Sequence, residues 1–349
     1  MRKNTDAVIV MQPPNVDEPR NKFSGQTHEP MTLWIYFRSY WMDYLMMAIL
    51  GGIALGVHSL HPAANRVFPV YFRNGEVVNP EFSYPLQNMI IPTWLSTLLA
   101  FLVPTVFILL MQIRVRSFND INAGVMGLIY AVLCGSVFQV MIKWLIGGLR
   151  PHFYAVCKPK IDASSVGTGT GFDGLLFDRS ICTGDEKIIK NALESMPSGH
   201  TMAAFASLLY LSLYLNGKLK IFANYRPQFW KLVLVFAPIL GAVLIAGSLT
   251  IDHYHHWYDI LAGATIGIMF AFGAYRFQYA SVWDYRFNHI PLPRVDADQG
   301  FDYHLDHVHS ALSGSRKGGW ANEHMYHYGA PFDAMMILST VPTDEQTRM

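Results

Sequence analysis

Long apolar segments separated by short polar ones fill the middle of the chain. Six of them read as helices able to cross a bilayer, whose hydrocarbon core takes roughly 20 apolar residues of helix. They lie at 40–60, 91–113, 121–146, 201–215, 232–249 and 257–275. The first has its uninterrupted apolar part at 45–57, with Asp43 and His58 near its ends, where polar groups reach the interface. The fourth is short for a span and can borrow residues from each side. The pattern predicts an all-α integral membrane protein, a six-transmembrane-helix bundle with both termini on one side. Residues 1–36 read as a mobile tail broken by Pro13, Pro14, Pro19 and Pro30. That stretch has no apolar core and does not read as a signal peptide. Residues 37–278 form the membrane domain, and 279–349 a polar tail rich in histidine. The one apolar stretch in that tail, 334–338, is too short to span.

Composition agrees with this division. Hydrophobic residues make up 52% of the chain and charged residues only 15%, against about 25% charged in a soluble domain. A net charge of +1 and the lack of a long basic or basic-aromatic stripe give no argument for nucleic acid, and none is expected as a partner. The distribution of Lys and Arg sets an orientation. Arg38, the pair Arg114 and Arg116, the group Lys218, Lys220, Arg226 and Lys231, and Arg276 with Arg286 all fall on one side. That side is predicted to be cytoplasmic and to hold both termini. The opposite side has the loop with Arg66 and Arg73, a large loop at 147–200 carrying both signs of charge, and a tight turn near Asp252. The large loop has a Ser, Gly and Thr-rich centre at 163–171.

Three polar clusters share that non-cytoplasmic face. Lys143 and Arg150 are seven residues apart, a spacing that returns to one helix face, and Pro151 ends the helix. Two such cations can hold a dianion with a planar guanidinium fork, or can snorkel to the headgroups. Pro197-Ser198-Gly199-His200 precedes the fourth segment. Amides at a helix start bind anions, Gly199 lets the backbone approach closely, and His200 titrates in the range of a general acid. The alternative is an N-cap serine beside an interfacial histidine. The third cluster, Ser248 to Asp259, reads SLTIDHYHHWYD. His255 and Asp259 are four apart and share a face if helical. A carboxylate on Nδ1 leaves Nε2 free as a nucleophile. Asp252, His253, His255 and His256 are also a conceivable metal-ligand set, or a structural interfacial cluster.

Together the clusters resemble the three signature motifs of the type 2 phosphatidic acid phosphatase superfamily. These are K-x6-R-P at Lys143, Arg150 and Pro151; PSGH at 197–200; and S-R-x5-H-x3-D at Ser248, His255 and Asp259. Arg150-Pro-His-Phe, Ala155-Val-Cys, His255-His-Trp and Asp259-Ile-Leu-Ala-Gly resemble the eukaryotic lipid phosphate phosphatase branch. The resemblance implies a phosphatase that needs neither metal nor cofactor and acts on a lipid phosphate at the lumenal or extracellular face of an endomembrane or plasma membrane. It implies that His255 attacks phosphorus and Asp259 orients it. His200 protonates the departing alkoxide and then activates water. Lys143, Arg150, Ser198 and the Gly199 amide hold the phosphate oxygens.

One position departs from the pattern. Leu249 stands where the family has an arginine, which removes one cation from the phosphate clamp. A single donor of this kind contributes about 2–4 kcal/mol to the transition state. His253, if protonated, is one replacement, and Asp252 a partner for Arg150. The alternative function is a catalytically impaired relative that binds phospholipid or a partner protein. Of the three cysteines, Cys134 lies in an apolar segment, while Cys157 and Cys182 flank the non-cytoplasmic loop. In an oxidising compartment those two can form a disulfide that ties the loop over the site; otherwise they are separate thiols.

Overall fold

The computed structural model describes residues 33–60, 66–72, 74–161 and 167–292. Arg73, most of the expected N-terminal tail, the loop centre at 163–166 and the tail from 293 onward lie outside the described residues. Residues 41–325 form one compact unit, which carries the three signature clusters. In the second unit, 1–40 with 326–349, the start of the first helix is described.

The long helices are α1 (Leu33–Ser59), α2 (Thr93–Val115), α3 (Phe118–Leu145), α6 (Gly199–Leu219), α7 (Phe229–Ile251) and α8 (Trp257–Gln278). Two short helices, α4 (Phe153–Cys157) and α5 (Glu186–Ala192), lie between α3 and α6. Five of the long helices are long and apolar enough to cross a membrane, and α6 is not among them. The reason is position. α6 is packed by α2, α3, α7 and α8, so its Ser207, Ser212, Asn216 and Lys218 are buried in protein and not presented to lipid. At 21 residues it is longer than its apolar pattern predicts. The outward faces of α2 and α7 are apolar, as Leu102, Leu109, Leu110, Val233, Leu240 and Leu244 illustrate.

Away from the signature clusters, a buried polar group ties the helices together. Asp120 at the start of α3 pairs with Lys218 of α6. It also accepts hydrogen bonds from Tyr214 (2.8 Å), Gln112 (2.8 Å) and Tyr279 (3.1 Å). Lys218 additionally donates to the His289 carbonyl at 3.0 Å. Residues 279–292, expected to open the polar tail, are instead folded onto the bundle: Tyr279, Ala280, Phe287, Asn288, His289 and Ile290 are buried.

At the signature end the described parts of the loops build a small lobe. A two-residue strand pair, β1 (Phe68–Pro69) against β2 (Leu176–Phe177), joins the loop after α1 to the loop before α5. Phe68, Val70, Phe153, Val156, Phe177, Ile189 and Leu193 form its own apolar core. Cys157 and Cys182 are bonded within it. The sequence pattern missed this lobe because its apolar residues are scattered singly among polar ones.

The expected shared helix face for Lys143 and Arg150 is not observed. α3 ends at Leu145, and Gly147 and Gly148 adopt positive φ of 56° and 97°, which breaks the helix. Arg150 lies beyond it in an extended clasp. There Met196 N donates to Gly147 O (2.8 Å), Ser195 N to Gly148 O (3.1 Å) and Arg150 N to Ala192 O (2.9 Å). The clasp joins the first motif to the second by backbone bonds rather than by helix periodicity.

Candidate active site

Each chemical group is delivered by an element end. Lys143 stands in the last turn of α3, and its Nζ donates to the Glu194 carbonyl at 3.0 Å. Arg150 is 7% exposed; its Nε donates to Asn191 O at 2.9 Å and its guanidinium lies 5.5 Å from the Tyr254 ring centroid. Among the described residues its two terminal nitrogens donate to nothing, which leaves the fork for an anion. Burial lowers the Arg150 pKa to about 10, opposed by Tyr254, Asp259 and Glu194, so it stays charged at neutral pH.

Ser198 caps α6: its hydroxyl accepts from Thr201 N (3.4 Å) and Thr201 Oγ1 (3.1 Å). The capping and anion-binding readings of the tetrapeptide therefore coexist. With Thr201 N taken, the amides of Gly199 and His200 remain ahead of the first intrahelical bond, at the positive end of the helix. Gln139 of α3 donates to the Pro197 carbonyl at 2.8 Å and fixes the turn from behind.

His255 and Asp259 come together, but not as two residues of one helix. α8 starts at Trp257, with His256 as its cap. His255 is in the preceding turn, where its amide and that of Tyr254 both point to the Leu249 carbonyl (3.3 and 3.1 Å). His255 Nδ1 is 3.5 Å from Asp259 Oδ2, and both side chains are buried. That carboxylate oxygen accepts from Ser195 Oγ (2.5 Å) and His256 N (2.9 Å), and His256 Nδ1 lies 3.4 Å away. Ser195 lies two residues ahead of the tetrapeptide, and nothing in its sequence setting marked it. α8 approaches α6 closely enough that a Cβ at Gly263 would be 2.4 Å from the Ser198 carbonyl. Ser198 N also donates to the Asp259 carbonyl at 3.0 Å.

The charges of Arg150 and Lys143 act on both His200 and His255, so the three clusters lie within electrostatic reach of one another. Burial first, then Arg150 and Lys143, hold the His255 pKa well below its ordinary value against the pull of Asp259. These effects favour the neutral imidazole at neutral pH. His200 Nε2 and Asp259 Oδ1 are buried without hydrogen-bond partners among the described residues.

Neither the replacement considered for the missing arginine, His253, nor the expected pairing of Asp252 with Arg150 is in place. His253, in a left-handed backbone conformation, stacks on Tyr84 with centroids 3.9 Å apart. Asp252 accepts from Ile90 N at 2.8 Å and does not pair with Arg150. Both are held by the loop before α2. Leu249 is 1% exposed. Among the described residues no group of three or more His, Cys, Asp or Glu side chains is arranged to hold a metal, so the Asp252-to-His256 cluster does not gather as a donor set. Beside the site opens a cavity of about 590 Å³, whose lining includes His152, Asn191, Glu194, Tyr254, Leu86 and Met89.

The PAP2 superfamily profile matches residues 124–283, a span containing all three clusters. The chain is 34% identical over 237 residues to lipid phosphate phosphatase 1 of Arabidopsis thaliana, covering 68% of this chain and 67% of that protein. It is 32% identical over 234 residues to lipid phosphate phosphatase 2 of the same plant, covering 67% and 75%. Diacylglycerol pyrophosphate phosphatase 1 of Saccharomyces cerevisiae is 34% identical over 172 residues, 49% of this chain and 54% of that one. No solved structure matches the chain significantly. With its three motifs placed at one end of a helical bundle and relatives similar over two thirds of its length, the chain belongs to the PAP2 superfamily, in its lipid phosphate phosphatase branch.

Proposed function

We propose that this protein is a membrane lipid phosphate phosphatase that hydrolyses phosphomonoesters such as phosphatidate, without a metal, through a phosphohistidine. The observation that carries this reading is the convergence of a neutral, carboxylate-held imidazole, His255, with Arg150, Lys143 and the unpaired Nε2 of His200. In the first step the His255 Nε2 lone pair forms a bond to phosphorus while the phosphorus–alkoxide bond breaks. His200 gives its proton to the leaving oxygen. In the second step His200 takes a proton from water, the water oxygen attacks phosphorus, and the P–N bond breaks. The products are the lipid alcohol and inorganic phosphate. Asp259 holds Nδ1 throughout, and Ser195 holds Asp259. The Arg150 fork, Lys143, Ser198 and the Gly199 amide receive the equatorial oxygens, where preorganised donors act most strongly.

In the same reading all six long helices cross the bilayer, with both termini cytoplasmic. The distribution of Lys and Arg supports this, and it places the site at the lumenal or extracellular surface. The test is phosphate release from phosphatidic acid in detergent micelles with EDTA present. The expected outcome is release by the wild type and none by His255→Ala. No release between pH 4 and 8 would favour a relative that binds phospholipid without turning it over, the reading to which Leu249 lends weight.

A further inference from the structure

Arg66 belongs to none of the three motifs, yet its side chain reaches into the place where two of them meet. Its Nη2 donates to the carbonyls of Lys143 (3.1 Å) and Trp144 (2.8 Å), and its Nη1 to the carbonyl of Leu193. The first two belong to the last turn of α3, where carbonyls have no intrahelical partner and form the negative end of the helix dipole. Lys143 rides on this same turn and Arg150 follows directly from it. An anion gripped by those two cations therefore sits beside a negative helix end, whereas α6 offers it a positive one. The guanidinium also lies flat against Gly147: a Cβ there would be 2.2 to 2.3 Å from Nη1, Cζ and Nη2. Gly147 is the residue whose carbonyl receives Met196 N, the first bond of the clasp.

We propose that Arg66 is a positioning residue of the phosphate site: it neutralises the carboxyl end of α3 and locks Lys143 and Arg150 to the segment at 193–196 that leads into Ser198 and His200. It also adds a positive charge next to a site from which Leu249 withholds one. This rests on the reading that the site binds phosphate.

The test uses the full chain in detergent, with orthovanadate as the probe of the phosphate site. Inhibition constants are measured for wild type, Arg66→Met and Arg66→Lys, with thermal midpoints in parallel. An inhibition constant does not depend on the fraction of enzyme that is folded, so simple loss of structure leaves it unchanged. Arg66→Met is expected to raise the vanadate constant and KM by about tenfold. Arg66→Lys keeps the charge but loses the fork, and is expected to raise both by about threefold. A folded variant that binds vanadate like the wild type overturns the proposal. If Arg66→Met does not fold, Arg66→Lys decides by the same criterion, and failure of both to fold makes Arg66 a stability residue only. Wild-type protein that neither releases phosphate nor binds vanadate would instead refute the phosphatase reading, so the two failures are distinguishable.

Discussion

Asp259 Oδ2 accepts the Ser195 hydroxyl and the His256 amide while facing the Nδ1 atoms of His255 and His256. Two fixed donors set the plane of the carboxylate, and the carboxylate sets the imidazole of His255. That imidazole is buried beside Arg150 and Lys143, so its pKa lies well below the ordinary value. A protonated His255 has no lone pair at Nε2. The active neutral form is therefore present above the lowered pKa and is lost only as pH falls through it. The acid limb of kcat/KM, which reports the free enzyme, should fall below about pH 6.5, the unperturbed imidazole value. A limb at or above that value would show that His255 is not the group titrating. Leu249 poses the complementary question. With His253 stacked on Tyr84 and not in the clamp, Leu249→Arg should raise kcat/KM by up to about 100-fold, the scale of one oxyanion donor. An unchanged rate would mean that the clamp is already complete without it.

Among the elements, the contact between α6 and α8 sets the start of α6 at Ser198 against Asp259. Gly263 lies one turn beyond Asp259 on α8 and touches the Ser198 carbonyl, so a side chain there must push the helices apart. Gly263→Val should cost about 1–3 kcal/mol of stability, the usual range for overpacking a tight contact. It should also lower kcat/KM by more than tenfold, because the Ser198–Asp259 backbone bond is broken with it. Thermal unfolding in detergent and the phosphatase assay measure the two effects. Wild-type activity in this variant would show that helix spacing does not set the site. The end of α3 is the second decisive element. Its two positive-φ glycines turn the chain from helix to clasp, so Arg150 is placed by hydrogen bonds to the segment before α6.

For the whole molecule, the apolar segments made the long helices legible in sequence, and the motif spacing made the cluster residues legible. Helix periodicity gave the wrong reason for two of the pairings. Lys143 and Arg150 do not share a helix, nor do His255 and Asp259, because Gly147-Gly148 and the turn before Trp257 intervene. Ser195, Gln139 and Arg66 were not legible, since each acts through a tertiary hydrogen bond that leaves no local pattern. The lobe built on Phe68, Phe153 and Phe177 was hidden for the same reason: its core is assembled from two distant loops. These parts serve one claim, that His255 carries the phosphoryl group between two half-reactions. The most direct measurement is acid-free quenching of the enzyme during turnover of phosphatidic acid, followed by peptide mass spectrometry. A phosphoryl group on His255, accumulating in His200→Ala and absent from His255→Ala, is the predicted result. Phosphate release with no phosphoryl group on His255, or with one on another residue, would contradict it.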